Sequence, residues 1–199
     1  MTPRQYSMEH RAAQAARTRD RILEAALACY RERGIGATSL HAVARRAEVS
    51  AATILNHFGS AEELARVVVG QLAEILHVPD DRDWNEQGLT PRARRLVWEM
   101  FAFYERSAPW FEIFRAELNV DPVLRESEAA FWQAIQDLYR RVFGDALHNA
   151  HVRGAVFGLT HPATVTALRA SGLPLEDAAA LIADTLIRTV DRWEGQRQP

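Results

Sequence analysis

The sequence has a single cysteine, no lysine and no long apolar run among its 199 residues. Because one cysteine excludes a disulfide within the chain and suits a reducing compartment, we expect a cytoplasmic protein. We interpret Cys29 as a small buried hydrophobe rather than a reactive thiol. No apolar stretch approaches the ~20 residues of a transmembrane helix, and the N-terminus lacks the apolar segment of a secretory signal. All 24 basic residues are arginine, a usage from which we infer no function.

The sequence motifs of common enzyme classes are also missing. The chain contains no GxSxG, HExxH, GxGxxG, P-loop or CxxC pattern. His148 and His151 lie three residues apart, but no third ligand is near them in the sequence, so we predict no metal site. The acidic stretch 78–90 lacks the glycine and distal glutamate of a calcium loop, and we interpret it as a solvated linker. We therefore predict a protein with no cofactor and no enzymatic activity.

Helical patterns dominate the chain, because no strand-like alternation of apolar and polar residues is sustained. Residues 10–33 contain neither glycine nor proline and predict a long first helix. Further helices are expected from Pro91, after a break at Pro109, and from Pro122 to about Leu147. With 48% hydrophobic and 25% charged residues, the composition is that of an ordinary globular protein, and the pattern predicts an all-α fold.

The stretch 38–59 contains two short periodic runs. The first has apolar residues at i, i+3, i+4 and i+7, which is one face of a helix: Leu40, Val43, Ala44 and Ala47. Thr38 or Ser39 precedes this run, and Ser50 precedes the second run over residues 51–58, so each helix has a capping residue at its start. Two short helices joined by a tight turn are typical of a helix-turn-helix, in which the second helix enters the major groove of DNA.

Charge is unevenly distributed along the chain. Residues 1–58 contain nine arginines and five acidic residues, a net charge of +4, whereas the remainder has fifteen and twenty-one, a net charge of −6. A basic N-terminal part on an acidic body is expected if only that part meets phosphates. Random variation also produces a charge of this size, so the asymmetry supports DNA binding without establishing it.

Residues 18–64 resemble the DNA-binding domain of the TetR (tetracycline-repressor-like) regulators. The matching pieces are the ILEAAL helix, Tyr30-x-x-x-Gly34, Ala37-Thr38, Val43-Ala44, Ala47-x-Val49-Ser50, the T-x-x-x-H-F run from Thr53 to Phe58 and the Ser60-x-Glu62-Glu63-Leu64 cap. The resemblance implies a dimeric transcriptional regulator with a three-helix DNA-binding domain and an all-helical effector domain. It divides the chain into a basic N-terminal arm (1–16), a DNA-binding domain (17–77, with the helix-turn-helix at about 40–59) and an effector-binding and dimerisation domain (78–199).

The motif predicts which residues contact DNA. The N-terminal amides of its second helix, with Ser50 and Thr53, suit phosphate oxygens. Asn56 and His57 are placed to reach base edges, since asparagine pairs well with adenine N6 and N7. The two arginines that end the first helix lie off its apolar face and suit the DNA backbone. The predicted DNA-binding residues are Thr38, Ser39, Arg45, Arg46, Ser50, Ala52, Thr53, Leu55, Asn56 and His57.

Several positions depart from the pattern of the TetR family. Glu48 stands in the turn where the family usually has glycine, and Ala51-Ala52 stands where lysine or proline and then glycine often begin the recognition helix. Leu55 matches the usual phosphate-binding tyrosine, and Ala61 matches the usual lysine. Because each lost phosphate contact flattens the salt dependence of binding, we expect weaker or different DNA binding.

The helices predicted between residues 91 and 147 are unusually aromatic. Such a surface on consecutive helices suits a cavity for an apolar or aromatic ligand, although an aromatic-rich core is the plainer interpretation of any single residue. Glu112 and Glu117 are interpreted as surface charges rather than as ligand contacts. The predicted ligand-binding residues are Trp98, Phe101, Tyr104, Trp110, Phe114, Phe131, Trp132 and Tyr139.

A Gly154-x-x-x-Gly158 pair lets another backbone come close and favours tight helix packing across a dimer interface. The last helix, predicted over 175–193, carries an apolar stripe for burial. In the TetR family the two C-terminal helices pair with those of a second subunit into a four-helix bundle, and the resemblance implies the same arrangement here. The predicted interface residues are Gly154, Gly158, Leu181, Thr185 and Arg188.

Together these features predict a homodimeric regulator that binds double-stranded operator DNA with half-sites ~34 Å apart. A small-molecule effector in the aromatic region would change the spacing of the two recognition helices and lower the affinity for DNA. Repression that is relieved by ligand is the usual behaviour of the family and is not deduced from the residues. Two alternatives stay open: a helical adaptor whose motif no longer contacts DNA, and an all-α enzyme, for which we find no paired acid and base.

Overall fold

The computed structural model describes the backbone of residues 3–195 and the side chains of residues 8–195, and this part of the chain is all-α, as predicted. Its helices are, in chain order, α1 (Pro3–Arg33), α2 (Leu40–Arg46), α3 (Ala51–Phe58), α4 (Ala61–Ile75), α5 (Leu89–Phe114), α6 (Pro122–Phe143), a 3₁₀ helix (Gly144–His148), α7 (Ala150–Leu159), α8 (Pro162–Ala170) and α9 (Leu175–Gly195). None of the helices in this described part is long and apolar enough to cross a membrane.

Contacts between residues divide the chain into two compact units. The first, called the N-terminal unit, contains the chain up to Ile75 together with residues 109–128. The second, called the C-terminal unit, contains residues 76–108 and the chain from Ala129 onward. The predicted boundary after residue 77 lies close to the end of α4, but the prediction did not place residues 109–128 with the N-terminal helices.

The N-terminal unit is built on the second half of α1. From Ile22 onward this helix buries an apolar stripe that packs on α2 and α4, and α3 packs on both of those helices. Cys29 belongs to this buried stripe, as predicted. Each large apolar side chain that is removed from water contributes about 1.5 to 3 kcal/mol, so this core fixes the positions of α2 and α3. Its buried members include Ile22, Leu23, Tyr30, Val43, Ile54, Phe58, Leu64 and Val68.

The predicted N-terminal arm, residues 1–16, is not a separate element where the structure describes it. Helix α1 begins at Pro3 and continues without interruption to Arg33. The side chains of residues 8–17 are all exposed, and burial begins only after them. Alanine, glutamine and arginine make up most of this stretch, and these good helix formers favour continuation of the helix. Residues 1 and 2 lie outside the described backbone.

Helix α5 continues through Pro109, where the sequence predicted a break. Proline has no N–H group and its ring crowds the preceding turn, which costs a helix about 3 kcal/mol. Aromatic side chains on both sides offset this cost, because Phe101 and Tyr104 are buried in the C-terminal unit and Phe114 is buried in the N-terminal unit. Tertiary burial therefore overrides the local signal at this proline.

The long helix predicted from Pro122 to about Leu147 is shorter in the structure. At its start, the Asp121 carboxylate caps α6 by accepting a hydrogen bond from Leu124 N at 3.0 Å. The helix ends at Phe143, because the next residue is a glycine with a φ of 50°, in the left-handed region that ends α-helices. A 3₁₀ helix then carries the chain to α7.

Residues 78–90 were predicted to be a solvated linker, but the structure anchors them within the C-terminal unit. The side chain of Asp81 is only 15% exposed. Its carboxylate accepts hydrogen bonds from Arg141 Nε at 2.9 Å and from Arg92 Nη2 at 3.1 Å. The two arginines belong to α6 and α5, so these bonds form only once the helices are packed, and the spacing of the sequence does not reveal them.

Candidate DNA-binding surface

Helices α2 and α3 are each capped by the serine that precedes them, as predicted. Ser39 Oγ accepts a hydrogen bond from Ala42 N at 3.2 Å, and Ser50 Oγ accepts one from Thr53 N at 3.0 Å. Such caps pair N–H groups that the helix itself leaves free and contribute about 1 kcal/mol each. Thr38 instead donates its hydroxyl proton to the carbonyl of Gly34, just after α1, at 2.7 Å.

The inner faces of α2 and α3 are buried in the N-terminal unit. Val43 and Ala44 of α2, together with Ile54 and Phe58 of α3, are at most 6% exposed. A helix of eight residues is too short to be stable alone in water, so this packing sets both the helicity and the orientation of α3. The opposite face of α3 is thereby turned to solvent.

The turn between α2 and α3 holds Glu48 in the left-handed region, with a φ of 53°. The N–H of Val49 donates to the carbonyl of Ala44 at 3.0 Å and closes the turn. A residue with a Cβ loses about 1 kcal/mol or more in this conformation, whereas glycine does not. The glycine that the sequence resemblance leads us to expect here therefore has a physical reason, and Glu48 keeps the turn at the cost of backbone strain.

The outer face of α3 presents a small and uncharged set of side chains. Ala52, Leu55 and Asn56 are exposed, and Leu55 is 42% exposed despite its size. Thr53 and His57 are partly buried at the edges of this face. Residues at i, i+3 and i+4 share one side of a helix, so Ala52, Leu55 and Asn56 form a contiguous surface, which we call the reading face.

Arg19 of α1 holds the C-terminal end of α3. Its guanidinium donates to the carbonyl of His57 at 3.1 Å and lies over the ring of Phe58, with its central carbon 4.3 Å from the ring centroid. A cation is favourable here because the last carbonyls of a helix carry partial negative charge. The contact joins residues 38 positions apart in the sequence. Arg19 thus holds the C-terminal end of α3, and Ser50 caps its N-terminal end.

The two arginines that end α2 differ in their partners. Arg46 Nη1 lies 2.5 Å from Glu32 Oε1 of α1, and this hydrogen bond raises the pKa of the Arg46 guanidinium. Arg45 is exposed, and its side chain makes no hydrogen bond or ion pair with any residue that the structure describes. Arg45 is thus available to a phosphate, whereas Arg46 must first separate from Glu32. The DNA contacts themselves stay a prediction.

The eight aromatic residues that were predicted to bind a ligand are divided between the two units, and their ligand-binding role stays a prediction. Trp110 and Phe114 belong to the N-terminal unit, where their rings stack at a centroid distance of 5.8 Å, and Trp98 is exposed. Helix α5 contributes residues to both units, because the division between them falls at Pro109. The remaining five are buried or partly buried in the C-terminal unit, and they are Phe101, Tyr104, Phe131, Trp132 and Tyr139.

Two buried tyrosines of the C-terminal unit differ in their hydrogen bonding. Tyr139 Oη lies 2.5 Å from Thr160 Oγ1, and Thr160 donates its own proton to the Val156 carbonyl at 2.7 Å, so Tyr139 is the donor. Tyr104 Oη is buried and has no hydrogen-bond partner among the described residues. Burial raises the pKa of Tyr139 to about 12 and raises that of Tyr104 as well, so both phenols stay neutral. An unpaired buried hydroxyl is costly, and it is suited to a bound molecule that accepts a hydrogen bond.

The predicted dimer residues lie on an exposed face of α7 and α9. Leu181 is 50% exposed, and Thr185 and Arg188 follow it on the same side of α9. A Cβ placed on Gly154 or Gly158 would meet no described atom within 4 Å, so the close approach that these glycines permit is not used within the described chain. A groove of about 670 Å³ runs beside this face. The dimer interface at these residues stays a prediction.

Sequence reasoning missed three residues that position the DNA-binding surface. Arg19 and Glu32 act from α1 on α3 and α2. Glu117, which was interpreted as a surface charge, binds the loop between α1 and α2 through its carboxylate. The contacts join residues from 14 to 82 positions apart, and no periodic pattern in the sequence indicates such pairs.

Residues 22–68 match the family model described as bacterial regulatory proteins, tetR family. The matched range contains the buried half of α1, all of α2 and α3, and the first half of α4, which are the helices that form and support the reading face. A search of curated proteins finds no match to the chain. The family match therefore concerns the DNA-binding helices and gives no information on the C-terminal unit.

Proposed function

We propose that this chain, a DNA-binding transcriptional regulator of the TetR family, represses transcription by binding a pseudo-palindromic operator as a homodimer. A small apolar or aromatic effector is proposed to release it from the operator. The reading face carries the proposal, because α3 turns Leu55 and Asn56 to solvent while it buries Ile54 in the N-terminal unit. A capped recognition helix with an exposed outer face is the geometry that enters a major groove.

Phosphate contacts in this proposal come from backbone amides and from arginine. The N-terminal N–H groups of α3 favour anions, and Arg45 offers a guanidinium without a partner among the described side chains. Leu55 and Ala61 cannot supply the phosphate contacts of the tyrosine and lysine that the family usually has there. Since each phosphate contact adds about 0.9 to the slope of log affinity against log salt, we expect a shallow salt dependence.

The test is selection of bound fragments from genomic DNA, followed by gel shifts at two salt concentrations. Asn56→Ala is expected to relax base preference at one position of the half-site and to cost about 1 to 3 kcal/mol. Arg45→Ala is expected to weaken binding to all sequences alike and to reduce the salt slope by about one. If the folded protein bound no duplex at low salt, the alternative of a helical adaptor with a degenerate motif would be favoured.

Homodimerisation in this proposal uses the exposed face of α7 and α9. Leu181→Arg is expected to yield monomers, because it would bury an unpaired charge between the subunits. Ala167→Arg, on the exposed surface of α8, is the matched control and is expected to leave the dimer intact. Sedimentation velocity measures the state of both variants. A dimeric Leu181→Arg protein would place the interface elsewhere.

The effector in this proposal binds within the C-terminal unit. Support comes from its aromatic interior, where the rings of Phe103 and Phe131 stack at 5.1 Å, and from the unpaired hydroxyl of Tyr104. A ligand releases the operator only by the difference between its affinities for the free and the DNA-bound conformation. A thermal-shift screen of small aromatic compounds, followed by operator-release assays with each hit, tests this role. Hits that stabilise the protein without changing its affinity for DNA would contradict it.

A further inference from the structure

We infer that Leu55, together with Ala52, reads the C5 methyl group of a thymine in the operator half-site, an inference that rests on the proposed DNA-binding function. Leu55 is the largest side chain of the reading face and is 42% exposed. Ala52 lies three residues earlier on the same side of α3 and is also exposed. The two residues form an apolar strip on the outer face of the recognition helix.

The chemistry of Leu55 limits what it can recognise. A leucine side chain neither donates nor accepts hydrogen bonds, so it cannot hold a phosphate oxygen as a tyrosine hydroxyl would. In the major groove, the apolar group that distinguishes one base from the others is the thymine methyl. Contact with this methyl would remove apolar surface of both partners from water, whereas cytosine carries only a hydrogen at C5 and would leave the leucine without this contact. The exposed leucine therefore favours thymine.

The neighbour of Leu55 favours the same base pair. Asn56 is exposed, and its amide makes no hydrogen bond with any described part of the chain. A free asparagine amide on a recognition helix suits adenine N6 and N7. The small side chain of Ala52 leaves room for a base edge to approach α3. The reading face thus combines an apolar and an amide contact, both of which favour A·T pairs.

The position of Leu55 does not depend on its own side chain. Ser50 caps the start of α3, Arg19 binds the carbonyl of His57 at its end, and Ile54 is fully buried between. Truncating the exposed Leu55 is therefore expected to leave the fold intact. Its effect on DNA binding can be measured separately from stability.

The test is uracil substitution in a duplex that the wild-type protein selects from a random pool. Deoxyuridine pairs as thymidine does but lacks the C5 methyl group. At the thymine that contacts Leu55, uracil is expected to weaken wild-type binding about fourfold when one half-site is changed and about fifteenfold when both are, which corresponds to the burial of one methyl group per half-site. At the other thymines of the duplex, uracil is expected to have little effect.

Variants of the protein assign this sensitivity to a residue. Leu55→Ala is expected to bind the thymine and uracil duplexes with nearly equal affinity. Leu55→Met, which keeps an apolar side chain of similar reach, is expected to retain most of the preference for thymine. Arg45→Ala is the matched control, because it should weaken binding to both duplexes and leave their ratio unchanged. Thermal unfolding checks that all three variants are folded.

The outcomes separate this inference from the proposed function. Equal uracil sensitivity in the wild type and in Leu55→Ala, or no sensitive thymine in the selected duplex, would overturn the inference while DNA binding stands. Failure of the folded wild-type protein to bind any duplex would overturn the proposed function and this inference with it. A sensitive thymine that becomes insensitive only in Leu55→Ala would support it.

Discussion

Glu117 and Gly36 are joined by a hydrogen bond across 81 positions of the sequence, in which the Gly36 N–H donates to Glu117 Oε1 at 3.1 Å. The Ile35 N–H donates to the other carboxylate oxygen at 2.8 Å, so one side chain holds two successive amides of the loop between α1 and α2. A Cβ placed on Gly34 would lie 2.5 Å from Glu117 Oε1, and Gly34 has a φ of 82°. The absence of a side chain at Gly34 therefore leaves the space that the Glu117 carboxylate needs to bind the loop before the helix-turn-helix.

Replacing this carboxylate is expected to destabilise the N-terminal unit. Glu117→Gln puts an amide group, which donates hydrogen bonds, against a backbone N–H, and we expect a loss of about 1 to 2 kcal/mol in urea unfolding. Glu112→Gln is the control, because Glu112 is an exposed carboxylate paired with Arg115, and its loss should cost less than about 0.5 kcal/mol. The Glu117→Gln variant should also show faster hydrogen exchange at the Ile35 and Gly36 amides than the wild type. Equal effects of the two variants would contradict the structural role of Glu117.

Relieving the strained turn of the motif is expected to stabilise the protein. Glu48→Gly should raise the free energy of unfolding by about 0.5 to 1 kcal/mol, because glycine adopts a positive φ without steric cost. Glu48→Ala is the control, since it removes the same charge but keeps the Cβ, and it should give no comparable gain. Thermal and urea unfolding of the two variants distinguish relief of strain from loss of charge. A gain of equal size in both would attribute the effect to charge.

Removing the partner of Arg46 is expected to strengthen DNA binding. Glu32→Gln breaks the ion pair with Arg46 and frees its guanidinium for a phosphate. The slope of log affinity against log salt should then steepen by about 0.9, the value for one added phosphate contact. In an Arg46→Ala background the same change should have much less effect. Glu74→Gln, at the far end of α4, controls for the general loss of a negative charge. If Glu74→Gln raised the affinity for DNA as much as Glu32→Gln does, loss of the ion pair with Arg46 would not be the cause of the increase.

The contact between Asp81 and Arg141 predicts a pH-dependent contribution to stability. The hydrogen bond from Arg141 lowers the pKa of Asp81 below its ordinary value of 3.8. Because the pKa is lower in the folded than in the unfolded state, the contribution is complete above the ordinary value and is lost as the pH falls through the folded-state pKa. Asp81→Asn should therefore cost about 1 to 2 kcal/mol at neutral pH and progressively less below about pH 4.

Urea unfolding of the wild type and of Asp81→Asn over a range of pH measures this difference. Asp83→Asn, at an exposed neighbouring position, is the matched control and should change stability little at any pH. If the cost of Asp81→Asn did not decrease in acid, the carboxylate charge would not be its source.

The two buried tyrosines predict opposite responses to the loss of a hydroxyl group. Tyr104→Phe removes a hydroxyl without a described partner, so it should leave stability unchanged or raise it by up to about 1 kcal/mol. Tyr139→Phe removes the donor to Thr160 and should destabilise the C-terminal unit by about 1 kcal/mol. Urea unfolding distinguishes the two. A large loss in Tyr104→Phe would show that its hydroxyl has a partner in solution.

The helix-turn-helix could be predicted from sequence in detail, because its signals are local. Ser39 and Ser50 cap helices through N–H groups three residues away, and the spacing of Ile54 and Phe58 marks the buried side of α3 within one turn. The departure at Glu48 was also visible before the structure, although its consequence, a positive φ, was not. Local backbone chemistry was sufficient for these features.

Spacing alone did not show in which unit each aromatic residue lies or how residues 78–90 are held. Trp110 and Phe114 follow Tyr104 on one continuous helix, α5, which passes through Pro109 without ending. They nevertheless belong to the N-terminal unit, whereas Tyr104 belongs to the C-terminal unit. The stretch 78–90 is acidic and lacks periodicity, yet Asp81 is held by arginines of two helices. In each case, packing decides the outcome against the local preference.

The sequence by itself determined that the chain is helical, where its helix-turn-helix begins and ends, and which side of α3 is apolar. These properties depend on residues within one or two helical turns of each other. Only the tertiary structure decided that Glu117 binds the loop before the helix-turn-helix and that Glu32 forms an ion pair with Arg46. It also decided that Arg19 binds the C-terminal end of α3. Each of these is a bond between groups far apart in the chain, and such bonds exist only after the helices have packed.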